Sequence, residues 1–384
     1  MTGGRPPKDK SHHLSEDAGE TAILTIDLDG LIANYRRLRE LAGGAECAAV
    51  VKADAYGLGV VEAAPALRRE GCKTFFVATP AEAKALRKLL PDAIIYALAG
   101  LMPGMTDEFR KHDLRPVLNS AAEIREWAAF SASVGEALPC AVHIDSGMNR
   151  LGLSAAEVET VAAARDLWST LTLSLVMSHL ACADEPEHPK SEVQRKTFDR
   201  LRALLPNAIA SLANSAGILL GPAYAYDLVR PGIALYGGKP QHHGNHDFAP
   251  VVHLKGRILQ VRDVPAGETV GYGATRTLTR ASRVAIVSVG YADGFFRSLS
   301  AKDGDVGFVA YAGGRAAPIL GRVSMDLITL DVTGVPEPAS RRGEWVELIG
   351  PNVPTQTLAH HAGTIDYEVL TNLGTRAFRR YIGG

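Results

Sequence analysis

The first half of the chain repeats one short pattern, an apolar run that leads into a capped helix start. It occurs in TFFVATPAEAKALRKL, in RPVLNSAAEIREWAAF and in LGLSAAEVETVAAAR, each with a Thr or Ser followed three residues later by Glu. In such a capping box the hydroxyl and the carboxylate each accept a hydrogen bond from the backbone N–H of the other residue. The repeat predicts strands alternating with helices, with helix caps at Thr79, Ser120 and Ser154.

The strands predicted in this half are continuously apolar, as in AIIYALAG and LSLVMSHL, rather than alternating. A strand of this kind is buried on both faces, which is typical of a parallel sheet covered by helices. The pattern extends from Ala22 to about Gly237 and fits either a (β/α)8 barrel or a doubly wound sheet. The pattern alone does not decide between these two folds.

The pattern changes after GKPQHHGNHDFAP. The stretches VVHLKGRILQVRDVPAGETVGYGATRTL and RVAIVSVGYADG read as strands separated by turns that contain Pro and Gly, and a short helix is predicted around 366–381. We therefore divide the chain into a disordered N-terminal extension at 1–21, an α/β domain at 22–246 and a mainly antiparallel β domain at 247–384.

The composition limits the kinds of partner that the protein can bind more than it limits the fold. Lys and Arg number 41 and Asp and Glu 42, a net charge of −1, so no general field attracts nucleic acid or an anionic membrane. The four cysteines include no CxxC pair, which favours free thiols in a reducing compartment over a zinc or disulfide framework. There is neither a membrane-length apolar run nor the apolar core of a signal peptide. These features predict a cytoplasmic protein with no bound metal and no nucleic-acid or membrane partner.

Lys52 directly follows the apolar run of AAVVKADAYGLG. If that run is a strand, Lys52 lies at its carboxyl end, where α/β barrels place their active sites. A lysine in an enclosed site has a lowered pKa and forms Schiff bases with aldehydes. The alternative is a solvent-exposed lysine at a strand end. The small residues and paired glycines that follow permit close approach of the backbone to a ligand. This favours a chemical role for Lys52 over that of an exposed lysine at a strand end.

The stretch VVKADAYGLG resembles the pyridoxal-phosphate lysine motif of alanine racemases, the fold type III enzymes. Eight further stretches resemble that family in the same order, and they are HIDSGMNRLG, MSHLACADE, LANSAG, VRPGIALYG, VGYGATRTL, VGYADGFFR, GRVSMDLITLDV and IDYEVL. The resemblance implies a (β/α)8 barrel that binds pyridoxal 5'-phosphate, then a mainly antiparallel β domain. It also implies a homodimer with shared active sites, in which a first strand around 22–25 packs with the β domain.

The resemblance implies two proton-transfer residues. Lys52 would bind the cofactor covalently and act as the base on one face of the substrate, and Tyr272 of the partner subunit would act on the other face. Two groups are needed because racemisation removes a proton from one face of a planar carbanion and returns it to the opposite face.

The remaining implied roles concern the cofactor and the substrate. Tyr56, Ser215, Gly232, Ile233 and Tyr367 would hold the phosphate, His179 would stack on the pyridine ring, Arg230 would face the ring nitrogen and Arg150 the phenolic oxygen. Arg150 and Met325 would place the substrate carboxylate, and Tyr291 and Arg322 would line the entrance. Because arginine stays protonated, Arg230 disfavours a proton on the ring nitrogen and makes the ring a weaker electron sink, which predicts fewer transamination side reactions.

Two positions depart from the family pattern. His143 stands where many members have a carbamylated lysine, so Arg150 must be positioned by another group, such as an anion or the imidazole itself. Leu58 replaces a histidine beside the lysine motif, a change expected to alter packing near Tyr56 rather than chemistry.

The predicted reaction is the interconversion of L- and D-alanine. A racemase of another or broader set of amino acids, such as serine, stays open because one methylene changes specificity by only about 1–3 kcal/mol. A fold-related decarboxylase would usually place a carboxylate where Arg230 stands. A non-catalytic pyridoxal-phosphate-binding protein would usually end after the barrel. A role in cell-wall synthesis and a catabolic role are both compatible with the sequence.

Overall fold

The computed structural model describes residues 19–244, 248–305 and 307–384. The predicted domain boundary between 246 and 247, and most of the predicted N-terminal extension, lie outside the described residues. Within these ranges, no helix combines the length and the apolar character needed to span a membrane.

Parallel strands form a closed ring in the first half of the chain. After β1 (Ala22–Asp27) they are β2 (Glu46–Cys47) with β3 (Ala49–Val50), β4 (Thr74–Val77), β5 (Ile94–Ala97), β6 (Arg115–Leu118), β7 (Leu138–His143), β8 (Leu171–Met177), β9 (Ile209–Ser211) and β10 (Leu228–Val229). Strands β3 to β9 pair in sequence order, and β10 pairs with β2. Strands β9 and β10 are joined by the amides of Asp227 and Arg230, which donate to the carbonyls of Ala210 and Ala213. The backbone amides of Ala48 and Val50 extend the pairing between β2 and β10 by donating to the carbonyls of Val229 and Pro231. Counting β2 and β3 as one strand gives an eight-stranded barrel, so the barrel prediction is confirmed.

Ten helices lie on this barrel or at its mouth within the described residues. They are α1 (Leu28–Leu41), α2 (Lys52–Gly57), α3 (Val60–Arg69), α4 (Pro80–Leu89), α5 (Thr106–Lys111), α6 (Ala121–Val134), α7 (Ala155–Ala163), α8 (Arg165–Ser169), α9 (Lys190–Arg202) and α10 (Ser215–Leu219). The hydroxyls of Thr79, Ser120 and Ser154 accept from the backbone N–H three residues on, at the starts of α4, α6 and α7. The three predicted helix caps are confirmed, each stabilising by about 1 kcal/mol.

The second domain is mainly antiparallel, as predicted. Its strands are β11 (Val252–Val264), β12 (Thr269–Val270), β13 (Arg276–Thr277), β14 (Ser282–Val287), β15 (Val309–Ala312), β16 (Arg315–Pro318), β17 (Ile328–Asp331), β18 (Trp345–Ile349) and β19 (Phe378–Ile382). Its helices are α11 (Glu337–Ser340), α12 (Thr355–Ala362) and α13 (Asp366–Asn372). The long strand β11 pairs antiparallel with β1, β14 and β18.

The end of the chain differs from the predicted helix around 366–381. Helix α13 ends at Asn372, and β19 follows as a strand parallel to β1, with Ile23 opposite Phe378. The first strand therefore belongs to the β domain's sheet, between β11 and β19. The partner strand lies more than 350 positions away in the sequence, so local pattern could not indicate this pairing.

Candidate active site

A cavity of about 480 Å³ opens at the carboxyl-terminal end of the barrel strands. Its lining includes every residue expected from the sequence to bind the cofactor, namely Lys52, Tyr56, Arg150, His179, Ser215, Arg230, Gly232, Ile233 and Tyr367. Lys52, Arg150 and Arg230 are basic residues, and no Asp or Glu of the described residues lines the cavity. The cavity is therefore suited to a small anionic ligand.

Lys52 begins a turn with an unusual backbone. The four residues after it, 53–56, all have φ between 52° and 57°, so they form a left-handed turn, and none of the four is glycine. Left-handed geometry costs about 1–2 kcal/mol per residue, so the turn persists only because its surroundings hold it. Among its contacts, Arg379 donates to the Gly57 carbonyl at 2.8 Å and Tyr381 to the Leu58 carbonyl at 3.0 Å. Burial, followed by the charge of Arg150, lowers the pKa of Lys52, which favours the neutral amine.

One corner of the cavity offers donors to an anion. Ser215 begins α10, and its Oγ accepts from the Gly232 amide at 2.9 Å. A Cβ atom at Gly232 would collide with the Tyr56 hydroxyl, so the close approach of these two chain segments requires glycine. Burial raises the pKa of Tyr56, and that of Tyr367 to about 12, so both phenols keep the proton that they donate. Hydroxyls and backbone amides in this arrangement are typical of phosphate sites.

Arg230 is a buried cation held by neutral acceptors. It is 4% exposed, and its guanidinium donates to the Ser211 hydroxyl and to the Ser178 carbonyl, the latter at 2.6 Å. Its Nη2 also lies 3.5 Å from Nδ1 of His179. Burial lowers the pKa of Arg230 to about 9 and, with the nearby cations, lowers that of His179. At neutral pH, Arg230 thus remains the charged member of this pair.

His143 is held by a neighbour that sequence analysis missed. Asn119 donates from Nδ2 to the carbonyls of Val117 at 2.8 Å and Leu98 at 3.3 Å, so its Oδ1 faces Nδ1 of His143 at 2.8 Å. Because an oxygen accepts, Nδ1 carries the proton and Nε2 is left as an acceptor. Burial, and then Arg230 and Arg150, lowers the pKa of His143 to about 4. The position where the sequence resemblance points to a carbamylated lysine in many family members therefore holds a neutral imidazole.

This pKa predicts a pH-dependent stability. Between pH 4 and about 6.5, the ordinary histidine pKa, the unfolded chain binds more protons than the folded one. The contribution of the neutral His143 to the free energy of unfolding is complete above pH 6.5 and is lost as the pH falls towards 4. This loss amounts to about 2–3 kcal/mol. The variant His143→Asn should therefore show a flatter curve of unfolding free energy against pH. The exposed His360→Asn serves as control, and equal slopes for the two variants would contradict the expectation.

The other four predicted residues lie outside the cavity, on the β domain. We call Tyr272, Tyr291, Arg322 and Met325 the β-domain patch. Tyr272 is 72% exposed, Met325 53% and Tyr291 44%. The patch is continuous, since Gly273 packs on the Arg322 guanidinium and the amide of Ala292 donates to the Met325 carbonyl at 3.0 Å. Within one chain, the structure does not bring the patch to Lys52.

Arg376 joins two turns of the β-domain patch, and sequence analysis did not identify it. It binds both carboxylate oxygens of the buried Asp293, at 2.6 and 2.5 Å, and Oδ1 of Asp326 at 2.5 Å. Asp293 also accepts from the Gly290 amide at 2.8 Å. The turn carrying Tyr291 and the turn carrying Met325 are therefore clamped together by one guanidinium.

The variant Arg376→Met should lower the free energy of unfolding by roughly 2–3 kcal/mol, because it leaves Asp293 buried and without its cation. Urea unfolding measures this loss. The matched control is Arg341→Met, which breaks an exposed pair with Glu344 and should cost less than about 0.5 kcal/mol. Equal losses in the two variants would mean that the clamp contributes nothing beyond a surface ion pair.

The fold and cavity define a class of two-domain proteins that bind a small anionic ligand at the mouth of an α/β barrel. Within that class, the family model of the alanine racemase N-terminal domain matches residues 26–240, and that of the C-terminal domain matches residues 251–381. The chain belongs to the alanine racemase family. The resemblance seen in the nine sequence motifs is thereby confirmed.

Individual relatives agree along nearly the full length. The chain is 50% identical over 361 residues to an alanine racemase of Methylobacterium sp. (strain 4-46), covering 94% of this chain and 98% of that protein. It is 48% identical over 371 residues to a catabolic alanine racemase of Mesorhizobium japonicum, covering 96% and 95%. The alanine racemase of Bartonella henselae with covalently bound pyridoxal phosphate superposes with a TM-score of 0.89 at 39% identity, covering 94% of this chain and 99% of that one.

Proposed function

We propose that this protein is a pyridoxal-phosphate-dependent racemase that interconverts L-alanine and D-alanine. The observation that carries the proposal is the cavity at the barrel mouth, which Lys52 lines beside Arg150 and Arg230 and without a carboxylate among the described lining residues. Membership of the alanine racemase family, and the covalently bound pyridoxal phosphate of the Bartonella henselae relative, support the choice of reaction and cofactor.

The residues present fit the cofactor. The corner formed by Tyr56, Ser215 and Gly232 supplies hydroxyl donors for its phosphate, with the Ser215 hydroxyl held in place by the Gly232 amide, and the cavity wall supplies Lys52 for its aldehyde. When bound, the cofactor supplies a pyridine ring that draws electron density from the α-carbon of the amino acid. Arg230 would donate to the ring nitrogen and, as a cation, disfavour a proton there. This limits the charge drawn into the ring and favours return of the proton to the α-carbon.

Two groups of this protein move the proton. Lys52, whose lowered pKa leaves more of the neutral amine available, takes or returns it on one face. Tyr272 of the partner subunit acts on the opposite face, in a homodimer whose β-domain patch covers the barrel mouth of the other chain. The exposure of the patch, and the fact that none of its four residues lines the cavity of the same chain, support this assembly. Arg150 and the Met325 backbone of the partner subunit would receive the substrate carboxylate, and Tyr291 and Arg322 would narrow the entrance.

The cysteines favour a cytoplasmic location, where free thiols persist. All four are unpaired, and three of them are buried. The runner-up reaction is racemisation of serine or of several small amino acids, which differ from alanine by one group in the pocket. The position of Arg230 opposes the decarboxylase alternative, and the match of the C-terminal domain model opposes a binding protein that ends after the barrel.

The decisive experiment follows L-alanine by proton NMR in D₂O with the purified holoenzyme, together with a chiral assay of the product. Exchange of the α-proton accompanied by D-alanine is the expected result. Exchange without D-alanine would mean that one base acts alone, and the role of Tyr272 would be wrong. If neither occurs with alanine but both occur with serine, the substrate assignment is wrong and the reaction class stands.

A further inference from the structure

Three glutamates at the barrel mouth bond to backbone amides outside their own helices. Glu82 accepts from the Ala53 amide at 2.8 Å, Glu123 from the Leu101 amide at 3.1 Å, and Glu157 from the Ala121 amide at 3.3 Å. Each glutamate is the third residue of its helix, where capping requires only a bond to the cap residue. The additional bond ties each helix start to a chain segment that precedes it at the barrel mouth.

Glu82 makes this tie next to Lys52. One carboxylate oxygen, Oε2, accepts from the amides of Ala78 at 2.7 Å and Thr79 at 3.2 Å, which fixes the carboxylate over its own helix start. The other oxygen, Oε1, is thereby aimed at Ala53, the first of the four left-handed residues. A turn in this costly conformation depends on partners that over-determine it.

We propose that Glu82 is a positioning residue for Lys52, holding the Ala53 amide so that the left-handed turn presents the Lys52 amine to the cavity. The importance given to Lys52 rests on the proposed function, but the contact with the turn does not. The charge of Glu82 also opposes that of Arg150. Arg150 lowers the pKa of Lys52 and Glu82 raises it, while the neighbouring His179 is held neutral by its burial and by the nearby cations.

The test compares Glu82→Gln with Glu157→Gln in the holoenzyme. Both carboxylate oxygens of Glu82 accept hydrogen bonds, but glutamine has one oxygen that accepts and one nitrogen that only donates. Glu82→Gln therefore loses either the bonds at the cap of α4 or the bond from the Ala53 amide. Glu157→Gln is a matched control, because Glu157 also uses one oxygen for its own cap residue, Ser154, and the other for a remote amide, that of Ala121, and it does not touch the Lys52 turn. Both variants are measured by hydrogen exchange of the peptide containing 52–57 and by kcat and KM for alanine.

We expect Glu82→Gln to speed exchange in 52–57 and to lower kcat, each by about tenfold, while KM changes less than about threefold. Glu157→Gln should leave both quantities within about twofold of the unmodified protein. The proposal is overturned if exchange in 52–57 is the same in both variants, or if exchange rises in Glu82→Gln and kcat matches that of Glu157→Gln.

Two further results keep this proposal separate from the proposed function. Exchange of the turn does not depend on the reaction, so faster exchange in Glu82→Gln with an unmodified protein that racemises no amino acid supports the contact and refutes the function. Glu82→Asp provides the second variant, since it keeps the charge but shortens the reach. It should behave like Glu82→Gln in exchange, and an Asp variant with normal exchange and normal kcat would overturn the geometric argument.

Discussion

Lys52→Ala is expected to abolish both the visible absorbance of the bound cofactor and the racemase activity, the latter by roughly 10⁴-fold or more. The amine is the group at the cavity wall available to bond the cofactor aldehyde, and it is also the proposed base, so one substitution removes two functions. Absorbance spectra of the purified protein, mass spectrometry after borohydride reduction and the chiral assay measure the loss of the absorbance, of the covalent bond to the cofactor and of the activity.

Lys73→Ala is the control for this prediction. Lys73 is exposed and directly precedes β4, at the end of the barrel opposite the cavity, so it should change none of the three measurements. Covalent cofactor found on another lysine of the Lys52→Ala protein would contradict the assignment, because the cavity would then not be the place of attachment.

Tyr272→Phe is expected to keep the cofactor absorbance and to lower kcat/KM by about 10²–10⁴-fold, the range that a single acid–base group contributes. Because the two enantiomers have equal free energies, kcat/KM must fall equally in both directions. The asymmetry should instead appear as isotope exchange in D₂O. The enantiomer whose α-proton faces Lys52 should still exchange with retention, whereas the other should not.

Tyr291→Phe is the matched control, since it removes a hydroxyl from the same β-domain patch without removing the proposed acid–base group. It should change kcat/KM by less than about tenfold and leave exchange symmetric. Unaltered rates in Tyr272→Phe, or symmetric exchange, would show that the tyrosine hydroxyl does not carry the second proton transfer.

Sequence analysis identified the parts of this molecule whose signals are local. The caps at Thr79, Ser120 and Ser154 were predictable because each needs only four consecutive residues. The residues expected to bind the cofactor were identified by resemblance and lie around one cavity, because the carboxyl ends of neighbouring parallel strands meet at one end of a barrel.

The features that escaped prediction are those fixed at a distance. The left-handed turn at 53–56 contains only Ala, Asp and Tyr, so none of its residues indicates a left-handed backbone in the sequence. The residues that contact this turn and the two positions after it, Glu82, Arg379 and Tyr381, are remote in the sequence. Glu82 was recognised as a helix cap, but its second bond is visible only in three dimensions. The same holds for Asn119, which sets the tautomer of His143 through two backbone carbonyls.

The separation of Lys52 from the β-domain patch has a genetic consequence in the proposed homodimer. A chain without the lysine keeps its tyrosine, and a chain without the tyrosine keeps its lysine, so a dimer of one of each carries one complete site and one site that lacks both. Two defective alleles in one cell would therefore partly restore each other, although neither is active alone. Defects at the barrel mouth and defects on the patch would fall into separate complementation groups within a single gene.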